Sequence, residues 1–320
     1  VWVSEIMLQQ TRVEAVKPYF ERFLKALPTV EDLAQAPEEQ LLKLWEGLGY
    51  YNRVRNLQRG ARAVMAEHGG VIPASFEALK KLPGIGDYTA GAIGSIAFQI
   101  PVPAVDGNVL RVISRVLYRR DNILDAKVKR RIEGEIKEIL PERTGDFNQS
   151  LMELGATVCL PNGAPKCNEC PLQELCRAHL VGDEESLPVK TKAKKRKIEQ
   201  RTVFLLVCDG KIALRKRPEK GLLAGLWELP SQEGMLGCAE AGKLLQTWGV
   251  RTLGELQKQT DAKHIFSHVE WHMTCWYVEA ELDPDADVKE LIWVSRKELD
   301  QDVALPAAFK TYRKVIEKIL

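Results

Sequence analysis

The sequence predicts a two-domain protein in which an all-α domain is followed by an α+β domain. Two patterns carry this prediction. Up to about residue 181, apolar residues recur every three or four positions, as they do along one face of a helix. Beyond Gln200 apolar and polar residues alternate, as they do in half-buried strands. A length of 320 residues is sufficient for two domains with separate cores.

The first domain is expected to consist almost entirely of helices that are separated by proline and glycine signals. The predicted helical segments are VEAVKPYFERFLKAL, VEDLAQAPEEQLLKLWEGL, VRNLQRGARAVMAEHG, SFEALKKL and DYTAGAIGSIAF. We place this domain at residues 1–158, a cysteine loop at 159–181 and an interdomain linker at 182–200. The linker has few large apolar residues and a basic run from Lys190 to Lys197. Such a run either contacts a phosphate backbone or is simply solvated, and both interpretations stay open.

The second domain, residues 201–320, is predicted to begin with a β-hairpin. The segment TVFLLVCDGKIALRKR turns at Asp209-Gly210, a dipeptide typical of tight hairpins. In HVEWHMTCWYVEAEL, the residues Val269, Trp271 and Met273 share one face of a strand. The domain is expected to end with the helix AAFKTYRKVIEKIL. It should therefore have its own core.

Composition bounds the possible functions only broadly. Charged residues make up 28% of the chain, and the net charge is +2, so DNA binding would have to come from local patches rather than from bulk charge. No apolar run approaches the length of a membrane span, and we identify no signal peptide. The chain opens with Val1 inside an apolar pattern, which we interpret as a fragment that lacks its true N-terminus.

Four cysteines lie close together in a short loop. The gaps between them are seven, two and five residues. Four thiolates at this spacing bind either tetrahedral zinc or a 4Fe-4S cluster. Zinc sites usually have two CxxC-like pairs separated by a long spacer, whereas this loop has one, so the spacing favours iron–sulfur. The expected ligands are Cys159, Cys167, Cys170 and Cys176.

The segment LPGIGDYTAGAI predicts a tight turn between two helices. The glycines Gly84 and Gly86 permit unusual backbone angles and close approach. Asp87 is expected to cap the second helix. Backbone amides at such a turn form an anion site that suits a DNA phosphate, although a plain helical corner would have the same glycines.

Two carboxylates lie in contrasting sequence environments. Asp106 stands just before a predicted helix, where backbone amides would keep its carboxylate ionised. Glu5 lies among Val1, Val3, Ile6, Met7 and Leu8, an apolar setting that would raise its pKa. Such a pair suits cleavage of an N-glycosidic bond, in which one group protonates the leaving base and the other stabilises positive charge on the sugar.

Together these residues resemble the MutY-type adenine DNA glycosylases of the helix-hairpin-helix superfamily, which includes endonuclease III. The resemblance covers essentially the whole chain, in the motifs VSEIMLQQTRV, WEGLGYYNRVRNL, LPGIGDYTAGAI, PAVDGNVLRVISR, FNQSLMELGATVC and FSHVEW. It implies an enzyme that flips adenine out of double-stranded DNA, where it is mispaired with 8-oxoguanine or guanine, and hydrolyses its N-glycosidic bond. It further implies one 4Fe-4S cluster, a monomer, and a bacterial cytoplasmic, nucleoid-associated location.

The resemblance also implies roles for individual residues. Glu5 would protonate adenine at N7, and Asp106 would stabilise the oxocarbenium-like sugar. Tyr88 and Asn108 would hold these groups and the attacking water. Related enzymes that also cut the strand carry a lysine nucleophile at the position of Tyr88, and tyrosine cannot form a Schiff base, so we expect a monofunctional enzyme. The motifs of Gln10 and Tyr50 are those that the family inserts into the DNA stack.

The C-terminal domain resembles a Nudix, or MutT-like, fold, with GLLAGLWELP where the hydrolase signature begins. The signature then fails, because CAEAGKLLQTWGV offers Glu240 as its only carboxylate for Mg²⁺. The resemblance implies a domain that recognises 8-oxoguanine, and we assign the contact to Phe266, Ser267 and His268. The alternative is a turn without a role in recognition, in which the Phe266 side chain belongs to the core and its two neighbours are solvated.

The sequence departs from the family pattern at two points. Three rival functions are also weighed against the residues. The first cysteine gap is seven residues instead of the usual six. We also expect the family's usual segment before Val1, which we interpret this fragment as lacking. The rivals are an endonuclease III-like glycosylase/lyase for oxidised pyrimidines, a non-catalytic iron–sulfur DNA-binding or redox-sensing protein, and a Nudix hydrolase. Tyr88 and the second domain argue against the first rival. The Glu5/Asp106 pair argues against the second, and the lack of a helix with carboxylates for Mg²⁺ argues against the third.

Overall fold

A computed structural model describes residues 1–191, 195–282 and 291–320, and the chain divides into two compact units. Unit 1 comprises Val1–Ala36 and Asn52–Ala193, and unit 2 comprises Pro37–Tyr51 and Lys194–Leu320. The predicted order, an all-α domain followed by an α+β domain, is confirmed. None of the helices in the described ranges combines the length and the apolar character that a membrane span needs.

Unit 1 is built from short and medium helices. Helix α4 (Glu38–Leu44) interrupts their order along the chain, because it belongs to unit 2. The helices of unit 1 are α1 (Trp2–Leu8), α2 (Val13–Ala26), α3 (Val30–Gln35), α5 (Asn52–His68), α6 (Phe76–Lys81), α7 (Asp87–Phe98), α8 (Gly107–Val116), α9 (Ala126–Glu138), α10 (Thr144–Thr157) and α11 (Arg177–Leu180).

The predicted helical segment that begins at Val30 is two helices rather than one. Thr29 and Asp32 form a reciprocal capping box at the start of α3. The helix ends at Gln35, and Ala36 adopts an extended ψ of 137° before Pro37. Proline disfavours the helical conformation of the residue that precedes it, so the break falls where the sequence places Pro37.

The turn between α6 and α7 lies where it was predicted. Gly84 has a φ of +78°, and a Cβ at this position would come within 2.6 Å of the Asn56 Cβ, so the turn requires glycine. The predicted cap by Asp87 is wrong: Gly86 is the N-cap and Asp87 is the first helical residue. The Asp87 carboxylate instead lies 2.6 Å from the Lys80 Nζ, an ion pair that closes the hairpin.

Unit 2 consists of a mixed β-sheet and of helices that pack against it. The strands are β1 (Lys197–Cys208), β2 (Lys211–Lys216), β3 (Trp227–Glu228), β4 (Ser231–Glu233), β5 (Val250–Thr252), β6 (Gln257–Ile265), β7 (Val269–Leu282) and β8 (Leu291–Ser295). They are ordered β3-β2-β1-β7-β5, while β4 pairs with β1, β6 with β7 and β8 with β2. Strands β1 and β7 run parallel, and the predicted hairpin of β1 and β2 turns at Asp209-Gly210. The helices are α12 (Cys238–Thr247), α13 (Arg296–Gln301) and α14 (Lys310–Ile319), together with α4.

Each face of this sheet has its own core, because successive side chains of a strand point to opposite faces. On β1, Val203 and Leu205 belong to one cluster of buried residues, which includes Tyr312 of α14. Phe204 and Leu206 belong to the other cluster, which includes residues of α12.

The segment that we interpreted as a linker is partly structured. Residues Glu184–Ser186 form a 3-10 turn, and Leu187 is buried against Cys176 and Ala178. The Val189 carbonyl accepts a hydrogen bond from the Ile123 amide. Strand β1 begins at Lys197, so part of the basic run is strand, and residues 192–194 of that run lie outside the described residues.

Candidate active site

Helices α1 and α7 bring the first two candidate residues together. Glu5 is 8% exposed on α1, where its neighbours Ile6 and Met7 are also buried. From α7, the Tyr88 hydroxyl donates a hydrogen bond of 2.5 Å to Glu5 Oε2, and it lies 3.4 Å from the Met152 Sδ. Burial raises the pKa of Glu5, and the nearby charge of Asp106 raises it further, whereas the hydrogen bond from Tyr88 lowers it. The side chain is thus placed to carry a proton.

Asp106 lies at the N-terminus of α8 and is held by two donors. Its Oδ1 accepts from the Val109 amide at 2.8 Å, as an N-cap does, and its Oδ2 accepts from the Asn108 Nδ2 at 2.7 Å. Burial raises the pKa of Asp106, while these hydrogen bonds and the charge of Arg111 lower it. The site therefore combines the buried carboxyl group of Glu5 with the half-buried carboxyl group of Asp106. The hydrogen bonds to Asp106 favour its ionised form, but burial outweighs them and the pKa stays above its ordinary value.

Arg111 is a residue that the sequence analysis did not single out. It is 4% exposed, and its Nη2 donates to Asn108 Oδ1 at 2.8 Å and to the Gly155 carbonyl at 2.7 Å. Its Nε donates to the Cys159 carbonyl at 2.7 Å. The guanidinium therefore connects the partner of Asp106 to the first cysteine of the loop. The one available signal was its spacing, three residues after Asn108 on a strongly amphipathic helix.

Helix α10 supports this arrangement through close packing. A Cβ on Gly155 would come within 2.5 Å of the Asn108 Cβ, so only glycine fits. The same residue supplies one carbonyl acceptor for Arg111. The glycine in FNQSLMELGATVC therefore lets α10 pack closely against Asn108.

The four loop cysteines line one pocket. They are free thiols with no disulfide among them, and the pocket wall also includes Val112, Val116, Leu154, Arg115, His179 and Glu184. The Arg115 Nη1 donates to the Cys159 Sγ at 3.2 Å. Burial, together with the neighbouring Glu184, raises the pKa of the Cys167 thiol to about 11. Four sulfurs around one cavity, with a guanidinium to offset anionic charge, fit a cluster that is held by four thiolates.

A smaller ligand set overlaps this pocket. Single ligand atoms of Cys167, His179 and Glu184 lie within 4.8 Å of one another. His179 Nδ1 is 2.5 Å from Glu184 Oε1, and its Nε2 is 3.1 Å from the Gln173 Nε2. This set would suit a single divalent metal such as zinc, but it leaves three of the four cysteines unused.

Gln10 and Tyr50 each occupy a left-handed backbone conformation. Gln10 has a φ of 57° just beyond α1, and the Arg53 Nη1 donates to the Ile6, Met7 and Gln9 carbonyls at the end of that helix. Tyr50 has a φ of 49° in unit 2, and its side chain is 51% exposed. Both residues are thus presented from irregular backbone.

In unit 2, Phe266, Ser267 and His268 form the turn between β6 and β7. The Phe266 amide donates to the Val269 carbonyl at 2.8 Å, and its half-buried ring makes edge contacts with Trp271 at 4.9 Å and His264 at 4.5 Å. Ser267 and His268 are exposed. The ring is therefore seated on the core while its two neighbours face solvent.

Helix α12 occupies the position of the expected metal helix. Its Glu240 Oε2 accepts from the Gly237 amide at 2.9 Å. The one carboxylate that the sequence offered for Mg²⁺ is therefore used to cap the helix.

Comparisons with known proteins match both units. The HhH-GPD superfamily base excision DNA repair protein model matches residues 3–138, and the NUDIX domain model matches residues 202–315. A thermostable thymine-DNA glycosylase superposes with a TM-score of 0.51 at 30% identity, over 56% of this chain and 83% of its own. A non-covalent endonuclease III–DNA complex gives a TM-score of 0.50 at 28% identity, over 57% and 83%.

Among curated proteins, the adenine DNA glycosylase of Rattus norvegicus is 35% identical over 99% of this chain and 71% of its own length. That of Buchnera aphidicola subsp. Baizongia pistaciae is 32% identical over 99% and 88%. The chain spans 42% of the Arabidopsis thaliana relative and 59% of the Homo sapiens relative. The chain belongs to the adenine DNA glycosylases, base-excision-repair hydrolases that act on N-glycosyl bonds.

Proposed function

We propose that this protein removes adenine from double-stranded DNA where it is paired with 8-oxoguanine or guanine, by hydrolysis and without strand cleavage. The observation that carries the proposal is the hydrogen bond between Tyr88 and the buried Glu5, beside Asp106, which caps α8. An acid with a raised pKa next to a hydrogen-bonded carboxylate suits protonation of a leaving base and stabilisation of a cationic sugar.

The roles follow from these contacts. Protonated Glu5 donates its proton to N7 of adenine, which makes the base a better leaving group. Asp106, with Val109 and Asn108 as donors, stabilises the oxocarbenium-like sugar by its negative charge. Tyr88 holds Glu5 in position, and Asn108 orients the attacking water together with Asp106.

The residue that follows the hairpin is unsuited to lyase activity. A lysine there could form a Schiff base with the sugar, whereas the Tyr88 hydroxyl cannot. The Tyr88 hydroxyl also donates to Glu5, and burial raises the pKa of this hydroxyl far above that of an exposed tyrosine, so it stays protonated. Hydrolysis should therefore leave an intact strand with an abasic site.

Contact with DNA would use the hairpin and two residues on irregular backbone. Gly84 and Gly86 let the backbone of the hairpin approach a phosphate at the N-terminus of α7. Gln10 and Tyr50 would enter the base stack when adenine is flipped, which is necessary because the acid cannot reach a stacked base.

A 4Fe-4S cluster is the occupant that we propose for the cysteine pocket. Cys159, Cys167, Cys170 and Cys176 would hold it through their thiolates. When bound, such a cluster supplies structural cross-linking of the loop and a redox-active centre. Arg115 would offset part of its negative charge through the contact with the Cys159 sulfur.

Recognition of 8-oxoguanine is assigned to the turn in unit 2. This lesion differs from guanine by a carbonyl at C8 and a proton on N7, so a reader needs a donor or an acceptor at that edge. Ser267 can offer both, Phe266 can stack beside the base, and His268 can donate to the lesion or to a phosphate. We further propose that the enzyme acts as a monomer at the bacterial nucleoid.

A single-turnover assay tests the function. Duplexes carrying adenine opposite 8-oxoguanine are incubated with excess protein, and the products are split into samples with and without alkali. We expect strand breaks only after alkali treatment. Breaks without alkali would indicate a lyase, and removal of an oxidised pyrimidine instead of adenine would favour the endonuclease III-like alternative. No excision together with tight binding would indicate a non-catalytic protein.

A further inference from the structure

We propose that unit 2 sets the position of Tyr50 through a polar lock formed by Lys43, Glu46 and Arg313. The inference rests on the proposed role of Tyr50 in DNA. Its starting point is that the glycosylase family model runs unbroken through residues 3–138, whereas residues 37–51 belong to the same compact unit as the Nudix-like sheet. Residues 37–51 therefore match the glycosylase family in sequence but belong to the compact unit of the Nudix-like sheet.

Glu46 is the centre of the polar lock. Its Oε1 accepts from the Leu305 amide at 3.0 Å and from the Arg313 Nη1 at 2.6 Å, and its Oε2 accepts from the Lys43 Nζ at 2.8 Å. Arg313 is held on its other side by Asp300, at 2.9 Å. The carboxylate thus joins residues that are more than 250 positions apart in the sequence.

Lys43 adds two further links to the same region. Its ammonium donates to the Leu299 and Val303 carbonyls, both at 2.9 Å, as well as to Glu46. All three of its hydrogens are therefore used. The side chains of Lys43 and Glu46 are only 16% and 15% exposed, so solvent screens this pair less than a surface pair.

The polar lock lies directly before the turn that carries Tyr50. Trp45 is fully buried, and its Nε1 donates to the Gly49 carbonyl at 3.1 Å. Within the turn, φ is positive at Gly47, Gly49 and Tyr50. A non-glycine residue in the left-handed region is strained and persists only when its surroundings hold it. We conclude that the contacts of Glu46 supply part of that hold, which makes Glu46 and Arg313 positioning residues for Tyr50.

Hydrogen exchange tests the polar lock without any DNA. The full-length variants are Glu46→Gln and Arg313→Gln, and the control is Glu14→Gln, which breaks a Lys–Glu pair of the same i,i+3 spacing whose side chains are 59% and 81% exposed. We expect the amides of residues 46–51 to exchange about tenfold faster in both lock variants, because hydrogen bonds to a charged group are lost. The control and the strands of unit 2 should exchange as in the wild type. Unchanged exchange at 46–51, or a uniform rise throughout unit 2, would overturn the proposal.

A double-mutant cycle then tests whether the polar lock acts through Tyr50. Glu46→Gln should slow single-turnover adenine excision by about tenfold when Tyr50 is present, and by less than about twofold in a Tyr50→Ala background, because coupled residues are not additive. Equal losses in both backgrounds would refute a positioning role. A wild-type protein without excision activity would contradict the proposed function, and the exchange measurement would still decide whether the polar lock holds the turn.

Discussion

Replacing Glu5 by glutamine should abolish base excision while DNA binding is retained. The amide is nearly isosteric and keeps an oxygen that can accept from the Tyr88 hydroxyl, so the buried hydrogen bond survives. What is lost is the acidic proton. General acid catalysis typically contributes about 10²–10⁴-fold to the rate, which corresponds to about 2.7–5.4 kcal/mol of activation free energy. Because the acid acts in the transition state, the loss should fall on the chemical step.

The assay is single-turnover excision on adenine opposite 8-oxoguanine, with affinity for the same duplex measured in parallel. Affinity should stay within about tenfold of the wild type, since no ground-state contact is removed. Rapid adenine release by the purified variant would refute the assignment of Glu5 as the acid.

The same substitution should not destabilise the fold. Burial raises the pKa of Glu5, so its ionisation opposes folding. The stabilisation that the protonated carboxyl provides is complete at low pH, below the pKa of the unfolded chain, and is lost as the pH rises through the raised pKa of the folded state. A neutral amide avoids this loss, and the melting temperature of Glu5→Gln at neutral pH should equal or exceed that of the wild type. A clearly lower melting temperature would contradict this assignment of charge.

Three further outcomes are expected. In Tyr88→Phe, the hydrogen bond that lowers the Glu5 pKa is lost, so the decline of the excision rate with rising pH should move to higher pH; a decline that stays in place or moves lower would count against the contact. Protein purified anaerobically should contain about four irons per chain with broad visible absorption. One zinc without iron would instead favour the ligand set of Cys167, His179 and Glu184. Cys170→Ser should lower the affinity for DNA more than it lowers the rate of the chemical step. Phe266→Ala/Ser267→Ala should reduce the preference for 8-oxoguanine over guanine by about ten- to a hundredfold, for about 1–3 kcal/mol of lost contacts, and an unchanged preference would remove this turn from lesion recognition.

Some features of the site could be predicted from the sequence because they depend on residues that are close together along the chain. The spacing of the four cysteines predicted that they would converge, and they line one pocket. Asp106 was predicted to lie before a helix, and it caps α8 through the amide three residues later. Gly84 of the hairpin was predictable because a tight turn often needs a positive φ, which it adopts, whereas Gly86 has an ordinary φ of -96°.

Other features could not be predicted from the sequence, because the hydrogen-bonding partners of the side chains concerned lie far along the chain. The acceptors of Arg111 include Gly155 and Cys159, more than 40 residues away, so spacing alone could not distinguish this arginine from the others. The cap at Asp87 was predicted from local preference, but Gly86 is the N-cap and the Asp87 carboxylate pairs with Lys80 across the hairpin.

The sequence alone therefore determined the two fold classes, the identity of the chemical groups and the order in which they occur. Periodicity, turns and caps are properties of short segments, so they can be identified from the amino-acid sequence alone. Tertiary structure decided how those groups behave. The pKa of Glu5 depends on its burial and on Tyr88, 83 residues away. Residues 37–51 belong to unit 2, where Glu46 and Lys43 find partners among residues 299–313 that lie more than 250 positions away in the sequence.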